Sequence, residues 1–204
     1  MSQVRRQAYG QAGSSAVDRL GGWLSKRAVI QALPRRAGLE VLDLGCGHHA
    51  RLLRDLRPMV SRGTGIDLTI SPEARAEKAL DFLESPLERA LPSLPDRSYD
   101  VVLMISVLEH LVEPLEALSQ CYRILKDAGV LLVNVPTWRG KGFLELSAFR
   151  IGASPAQEMD DHKMYYDERD LWPLLVRAGF LPRNLRLRTH KLGLNLFAIA
   201  TREP

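Results

Sequence analysis

No stretch constrains this chain more than Glu40-Val41-Leu42-Asp43-Leu44-Gly45-Cys46-Gly47-His48-His49. An apolar run carries an embedded carboxylate, Asp43, and then meets two glycines spaced one apart. Glycine tolerates positive φ, so such a turn between strand and helix lets backbone approach a ligand closely, with N–H groups expected to point at it. The rest of the chain either completes a ligand site around that turn or leaves it as a structural bend.

Downstream, strands and helices alternate. Helix is expected over 14–33 on the spacing of Ala16, Leu20, Trp23, Leu24 and Ile30, closed by Pro34. Strand one is 40–44, a helix fills 48–57 before Pro58, and Gly63 to Asp67 forms a second strand. Residues 72–83 read as helix, ending in a brief strand or turn near Phe82. Ser98 to Ser106 is almost unbroken in apolar residues, as suits a central strand covered on both faces. A helix over 113–126 presents Leu115, Leu118, Tyr122 and Leu125, and Gly129 to Val135 is another buried strand stopped by Pro136. A short helix at 143–150, a helix from Asp167 to Ala178 capped by Gly179, and strands at 180–187 and 192–201 complete the set. Two final strands joined by Lys191-Leu192-Gly193 must pair antiparallel. The expected fold is α/β, a doubly wound, Rossmann-like, mostly parallel seven-stranded sheet whose last strand is antiparallel and lies at the edge.

The 204 residues suit one domain: an N-terminal helical cap (1–37), a ligand-binding half (38–136), a lid (137–166), and a closing helix with hairpin (167–204). No apolar run approaches the roughly 20 residues that span a bilayer, and no signal core follows Arg5 and Arg6. Cys46 and Cys121 match no zinc or disulfide spacing, so a cytoplasmic setting and no metal are expected. The ends are basic: Arg183, Arg186, Arg188, Lys191 and Arg202 face only Glu203 within 181–204. Such ends suit nucleic acid or anionic head groups, but solvated surface helices are the simpler reading, and no aromatic–glycine RNA-binding pattern accompanies them.

In an open parallel sheet, ligands sit beyond the carboxyl ends of the strands, where strand order reverses. Asp43, Asp67 and Ser106 are expected to gather there. Asp67 lies 20 residues past Gly47, a distance at which an acid can accept both hydroxyls of a ribose. A dinucleotide would place its diphosphate near Asp43, which is unfavourable. S-adenosylmethionine carries an ammonium that the acid suits, so charge favours that cofactor.

The same residues resemble the class I S-adenosylmethionine-dependent methyltransferases, in the small-molecule branch called type 11. Val41 to Gly47 resembles the first motif and Gly65-Ile66-Asp67-Leu68 the second. Ser98 to Val102 with Val107-Leu108-Glu109-His110-Leu111 resembles the fourth-strand region, and Arg123 to Leu131 the helix-to-strand-five signature. His162 to Tyr166, followed by Leu171 to Phe180, resembles the closing helix segment. The resemblance implies that Gly45, Cys46 and Gly47 approach the methionine moiety and Asp43 its amino group. It gives Asp67 the ribose hydroxyls, Leu68 the adenine face, and Ser106 the methionine side. Leu87 or Glu88 would serve the adenine amino group. The family's usual third glycine is His49 here, and Asp127-Ala128-Gly129 replaces a proline–glycine pair.

Methyl transfer needs a base only if the acceptor must lose a proton. His110 follows the fourth strand and is either that base or a helix cap. His162, with Tyr165, is either a base with its partner or a His–Tyr anchor of the lid, which carries Trp138, Phe143, Phe149 and Met159. The lid is also similar to methyltransferases of bacterial surface-polysaccharide pathways, implying a sugar or saccharide-linked small-molecule acceptor. An RNA methyltransferase and a non-catalytic S-adenosylmethionine-binding domain are the alternatives. The sequence leaves oligomeric state undetermined.

Overall fold

A computed structural model describes residues 16–141 and 163–204. Helix α1 (Ala16–Ala32) leads into β1 (Leu39–Leu44), α2 (Arg51–Leu56), β2 (Val60–Asp67), α3 (Pro72–Arg75) and β3 (Leu80–Glu84). There follow α4 (Leu87–Ala90), β4 (Tyr99–Ile105), α5 (Pro114–Ile124) and β5 (Leu125–Pro136). Helix α6 (Glu168–Arg177) and strands β6 (Leu185–His190) and β7 (Asn195–Thr201) close the chain. The seven strands form one sheet in the order β3-β2-β1-β4-β5-β7-β6. Strand β7 pairs antiparallel with both β5 and β6, and the pairings β1·β2, β1·β4, β2·β3 and β4·β5 are parallel.

The expected fold class stands, with one correction. The reversed strand is not at the edge. It is inserted between β5 and β6, so β6 forms the edge and the turn of the β6–β7 hairpin lies level with the carboxyl end of β5, where Pro136 pairs with Asn195.

Two apolar layers cover the sheet, and the period-2 alternation of the strands decides which residue enters which. Leu42, Leu44, Val102, Met104, Leu131 and Val133 pack with Leu118, Cys121, Leu171, Leu175 and Phe180. Val41, Val101, Leu103 and Leu132 pack on the other face with Val29 and Leu33 of α1, Leu53 and Leu56 of α2, and Phe197. Each fully buried Leu or Val contributes about 1.5–3 kcal/mol.

Several boundaries move. The helix expected over 72–83 is only four residues long, capped where Ser71 Oγ accepts the Ala74 N–H at 3.2 Å; Ala79 at φ 71° then swings the chain into β3. Strand β5 begins at Leu125, which was expected on the preceding helix: Tyr99 pairs with Leu125 but Val101 with Val130, so residues 126–129 bulge out. Ala128 takes φ 59° in that bulge, which accommodates Asp127-Ala128-Gly129 where a proline–glycine pair was expected. Residues 180–184 do not join β6, because Pro182 opens a short 3-10 turn there. Gly179 ends α6 at φ +114° as expected, with its N–H donating to the Val176 carbonyl at 3.1 Å. The helix expected at 143–150, together with Phe143, Phe149, Met159 and His162, lies outside the described residues. Among the described residues, no helix is long and apolar enough to cross a membrane.

Candidate active site

Asp43 sits one residue before the end of β1, paired across to Gly65 of β2 and Leu103 of β4. That central position leaves it 2% exposed, and its Oδ2 has no hydrogen-bond partner among the described residues. Burial, and secondarily the charge of Asp67, pushes its carboxyl up to about 8. A buried carboxyl with an oxygen that meets no donor is unfavourable to ionise until a cation arrives. An ammonium meets that requirement.

Asp67 ends β2, as expected. Its Oδ2 accepts the Gly47 N–H and its Oδ1 the Leu68 N–H, both at 2.7 Å. Asp67 thereby ties the glycine turn to the end of β2.

Gly45 and Gly47 take φ +68° and +77°, and a Cβ on Gly45 would sit 2.4 Å from Val107 Cγ2. The expectation that the turn aims its N–H groups at a ligand is overturned. Gly45 and Cys46 both donate to the Ile66 carbonyl, at 2.8 and 3.1 Å, and Gly47 donates to Asp67. A turn whose donors are occupied is a poor cradle for a diphosphate and compatible with a cationic ligand end. The Cys46 side chain is turned away into the small cluster of Ala50, Ile70 and Ala74, its thiol donating to the Gly47 carbonyl at 3.6 Å. Burial raises that thiol well above its ordinary range.

The missing third glycine now has an explanation. The residue that needs positive φ here is Ala50 (φ 45°), not His49. His48 and His49 precede α2 in the turn: His48 Nδ1 lies 3.2 Å from Thr69 Oγ1, and the His48 carbonyl accepts the Ser71 N–H at 2.7 Å.

Beyond β3, the Ser85 N–H donates to the Asp67 carbonyl at 3.0 Å, which sets Ser85 beside Asp67. Leu87 packs partly buried against the core, while Glu88 is exposed on α4.

Ser106 follows β4 at φ 57°, its N–H donating to the Asn134 carbonyl at 2.8 Å. Asn134 Nδ2 donates to Ser106 Oγ at 3.4 Å, and Asn134 Oδ1 lies 2.5 Å from His190 Nε2. An amide oxygen only accepts, so Nε2 carries the proton. Burial first, then the charges of Lys191 and Arg188, push His190 down to about 4, so it is neutral at pH 7. His110 is half-buried in the 3-10 turn Leu108–His110 beside fully buried Glu109, whose carbonyl accepts the Lys163 and Met164 N–H groups at 2.7 and 3.3 Å. Tyr165 is buried against Trp138, ring centroids 5.6 Å apart, and Lys141 Nζ lies 5.8 and 5.9 Å from the two rings. The His162–Tyr165 anchor that the sequence suggests falls outside the described residues.

Sequence reasoning missed Asn134, His190 and Glu109, and read Lys191 only as part of a hairpin turn or a basic tail. One signal was available: Asn134 interrupts Leu131-Leu132-Val133 and Val135, and a polar residue in a buried strand needs a partner.

A central buried acid at a glycine turn, a second acid ending the next strand, and a reversed seventh strand define a nucleoside-cofactor α/β enzyme. Residues 14–184 match the methyltransferase-domain family, and the chain belongs to that family. It is 32% identical over 165 residues to a probable S-adenosylmethionine-dependent methyltransferase of Mycolicibacterium smegmatis, covering 78% of this chain and 59% of that protein. It is 30% identical over 132 residues to a ubiquinone biosynthesis O-methyltransferase of Pseudomonas aeruginosa, covering 60% of this chain and 52% of that one. The chain spans little more than half the length of these curated relatives. In fold it matches an S-adenosylmethionine-dependent methyltransferase of Archaeoglobus fulgidus, with TM-score 0.66, 18% identity, and 90% and 94% of the two chains covered. It likewise matches the complex between the Haloferax volcanii Trm112 methyltransferase activator and a putative methyltransferase, with TM-score 0.68, 17% identity, and 95% and 100% covered. The cofactor is S-adenosylmethionine, and the partnerless Asp43 oxygen and occupied turn donors fit its ammonium end.

Proposed function

We propose that this chain transfers the methyl group of S-adenosylmethionine to a hydroxyl of a small molecule held over the carboxyl ends of β4 and β5. Asp43 takes the cofactor ammonium, Asp67 the ribose hydroxyls, and Gly45 and Gly47 allow close approach along the methionine portion. Leu68, Leu87 and the backbone at Ser85 border the adenine, and Ser106 lines the methionine side. The cofactor supplies a methyl group on a sulfonium. The chain supplies position, worth about 7–11 kcal/mol when reactants are well oriented. His110 and Tyr165 border the acceptor.

The carrying observations are the neutral Ser106–Asn134–His190 chain at the carboxyl ends of β4 and β5 and the packed Trp138 and Tyr165 rings on the segments after β5 and before α6. These neutral and aromatic groups suit a small, partly aromatic acceptor. An RNA acceptor is disfavoured, because several of the cations that suggested it are already engaged. Arg202 donates to the carbonyls of Tyr122, Arg123 and Leu125 at 2.7, 3.0 and 2.9 Å, Arg183 pairs with Glu203, and Lys26 pairs with Asp55 at 2.7 Å. The named activity of the Pseudomonas relatives supports a hydroxyl acceptor over an amine.

The test is transfer of labelled methyl from S-adenosylmethionine to a panel of phenols, nucleotide sugars, lipid-linked saccharides and total RNA. Label in a small hydroxylic acceptor is expected. Label confined to RNA, or to amines, would overturn the reading, and label confined to the saccharides would assign the sugar class.

A further inference from the structure

Helix α1 is apolar on two sides. Ala28 and Val29 are buried against the sheet, while Leu20, Trp23, Arg27 and Ile30 fall within a stripe about 80° wide on the outer side. At 1.5 Å per residue that stripe runs about 15 Å along the helix. It is open to solvent: Trp23 is 54% exposed, and the Arg27 guanidinium lies 5.7 Å from its ring centroid.

A further apolar group stands near the start of this helix. Leu192, in the β6–β7 turn, is 92% exposed and takes φ 59°, a region that leucine rarely enters. Its neighbours Lys191 and Gly193 take 52° and 82°. Thr137 ties the turn: its Oγ1 donates to the Gly193 carbonyl at 2.8 Å and its N–H to the Leu194 carbonyl at 3.0 Å. The turn thus presents a leucine to water instead of folding it onto the protein. It adjoins α1, because Lys191 Nζ lies 3.8 Å from where a Cβ on Gly21 would stand.

The charge around these residues has one sign. Residues 20–38 hold Lys26, Arg27, Arg35 and Arg36 and no acid, and β6 holds Arg186 and Arg188 and no acid. Arg186 and Arg188 pair across the hairpin with Ile199 and Phe197, which pack in the same layer as Val29 and Leu33. Residues directly opposite in an antiparallel pair share a face, so the two arginines stand on the α1 side of the sheet. Lys26 is engaged by Asp55 and Arg36 by Asp100. Arg27, Arg186 and Arg188 are exposed and meet no carboxylate among the described residues.

We propose that this face docks on an anionic lipid surface, with Leu20, Trp23 and Leu192 entering the head-group layer and Arg27, Arg186 and Arg188 meeting the acidic head groups. Tryptophan and leucine gain burial at a bilayer boundary, where indole rings collect, and each nearby cation adds attraction to anionic lipid. A second copy seated on the same face by a two-fold axis would set arginines against arginines. A nucleic acid would use the cations but leave Leu192 in water, since bases stack on aromatic rings. The face borders the carboxyl end of β5, and its docking does not depend on which acceptor is methylated.

The experiment is flotation of the full chain with vesicles of phosphatidylcholine alone and of an equal mixture of phosphatidylcholine and phosphatidylglycerol. It compares wild type, Leu192→Ser, Trp23→Gln and the double variant Arg186→Gln with Arg188→Gln. S-adenosylhomocysteine affinity is measured on each, and unchanged affinity shows that a variant is folded. Wild type is expected to float with the mixed vesicles and not with the neutral ones, and to be released by salt. Leu192→Ser and Trp23→Gln should each weaken binding about tenfold, the equivalent of about two buried CH2 groups. The double variant should lose about fivefold for each arginine. Equal binding to both kinds of vesicle, no binding to either, or variants that bind as tightly as wild type would overturn the proposal. Where vesicles fail, an RNA oligonucleotide bound by wild type and lost in these variants would assign the face to nucleic acid. A dimer in sedimentation equilibrium, lost in the same variants, would assign it to a second copy.

Discussion

At the scale of single residues, Asp43 bears the sharpest consequence. Its folded-state carboxyl is raised to about 8 from an ordinary value near 3.8. The folded protein therefore holds a proton that the unfolded chain has lost. Stability contributed by this group is complete below about pH 4 and declines as pH rises through about 8. Asp43→Asn is thus expected to raise the melting temperature of the ligand-free protein at pH 8 by a few degrees. It should also lose most cofactor affinity. Ionised Asp43 is the form an ammonium prefers, so wild-type affinity for S-adenosylhomocysteine should climb by up to about tenfold per unit between pH 6 and 8. Calorimetric titration across pH checks both, and a flat wild-type profile would show that Asp43 does not meet the ammonium. Gly45 makes a steric prediction. Gly45→Ala combines positive φ with a 2.4 Å clash against Val107, and should cost about 1–3 kcal/mol in urea unfolding. Adding Val107→Ala should recover only the steric part. Asp67 is the poorer probe of the proposed ribose contact: because it ties Gly47 and Leu68, its removal disturbs the turn as well.

At the scale of elements, the start of α6 secures the packed Trp138 and Tyr165 rings. Asp170 Oδ2 accepts the Asp167 N–H at 2.9 Å at the helix N-terminus and the Trp138 indole N–H at 3.1 Å. One carboxylate thereby joins the helix to the segment after β5. Asp170→Ala should cost about 1 kcal/mol from the lost cap. It should also free the Trp138 ring, read as a shift in tryptophan fluorescence emission, whereas Glu168→Ala, in the same first turn, should leave that emission unchanged. Gly140 explains how closely these pieces fit, since a Cβ there would sit 2.3 Å from the Leu194 carbonyl oxygen. The segment after β5 and the β6–β7 hairpin are therefore one joint, and the placement of Leu192 depends on both.

At the scale of the whole molecule, the two edges of the sheet have separate tasks. The carboxyl edge carries the site. The amino edge carries a charge knot: buried Asp100 accepts from Arg36 at 2.5 Å, from Lys126 at 3.2 Å and from the Glu40 N–H at 2.8 Å. It thereby links the connection between α1 and β1 to β1, β4 and β5. Asp100→Ala should destabilise the protein by about 1–3 kcal/mol while leaving affinity for S-adenosylhomocysteine within twofold. Denaturant unfolding beside calorimetry would check this. A comparable loss of ligand affinity would mean that the two edges are coupled through the strands.

The sequence by itself determined the alternation of strands and helices, the two acids on β1 and β2, the glycine turn and the reversed last strand. All of these follow from local rules: apolar periodicity, glycine conformational freedom, and a hairpin too short for a parallel crossover. It could not show that the turn's N–H groups are spent inside the protein. That follows from where the Ile66 carbonyl and Asp67 carboxylate stand once β1 and β2 are paired. Nor could it tell that β7 is inserted between β5 and β6, because a hairpin fixes relative direction but not which strand meets the sheet. That choice brings Lys191, His190 and Asn134, distant along the chain, to one edge. Burial there, which no local pattern encodes, converts an ordinary lysine and histidine into groups with altered acid strength.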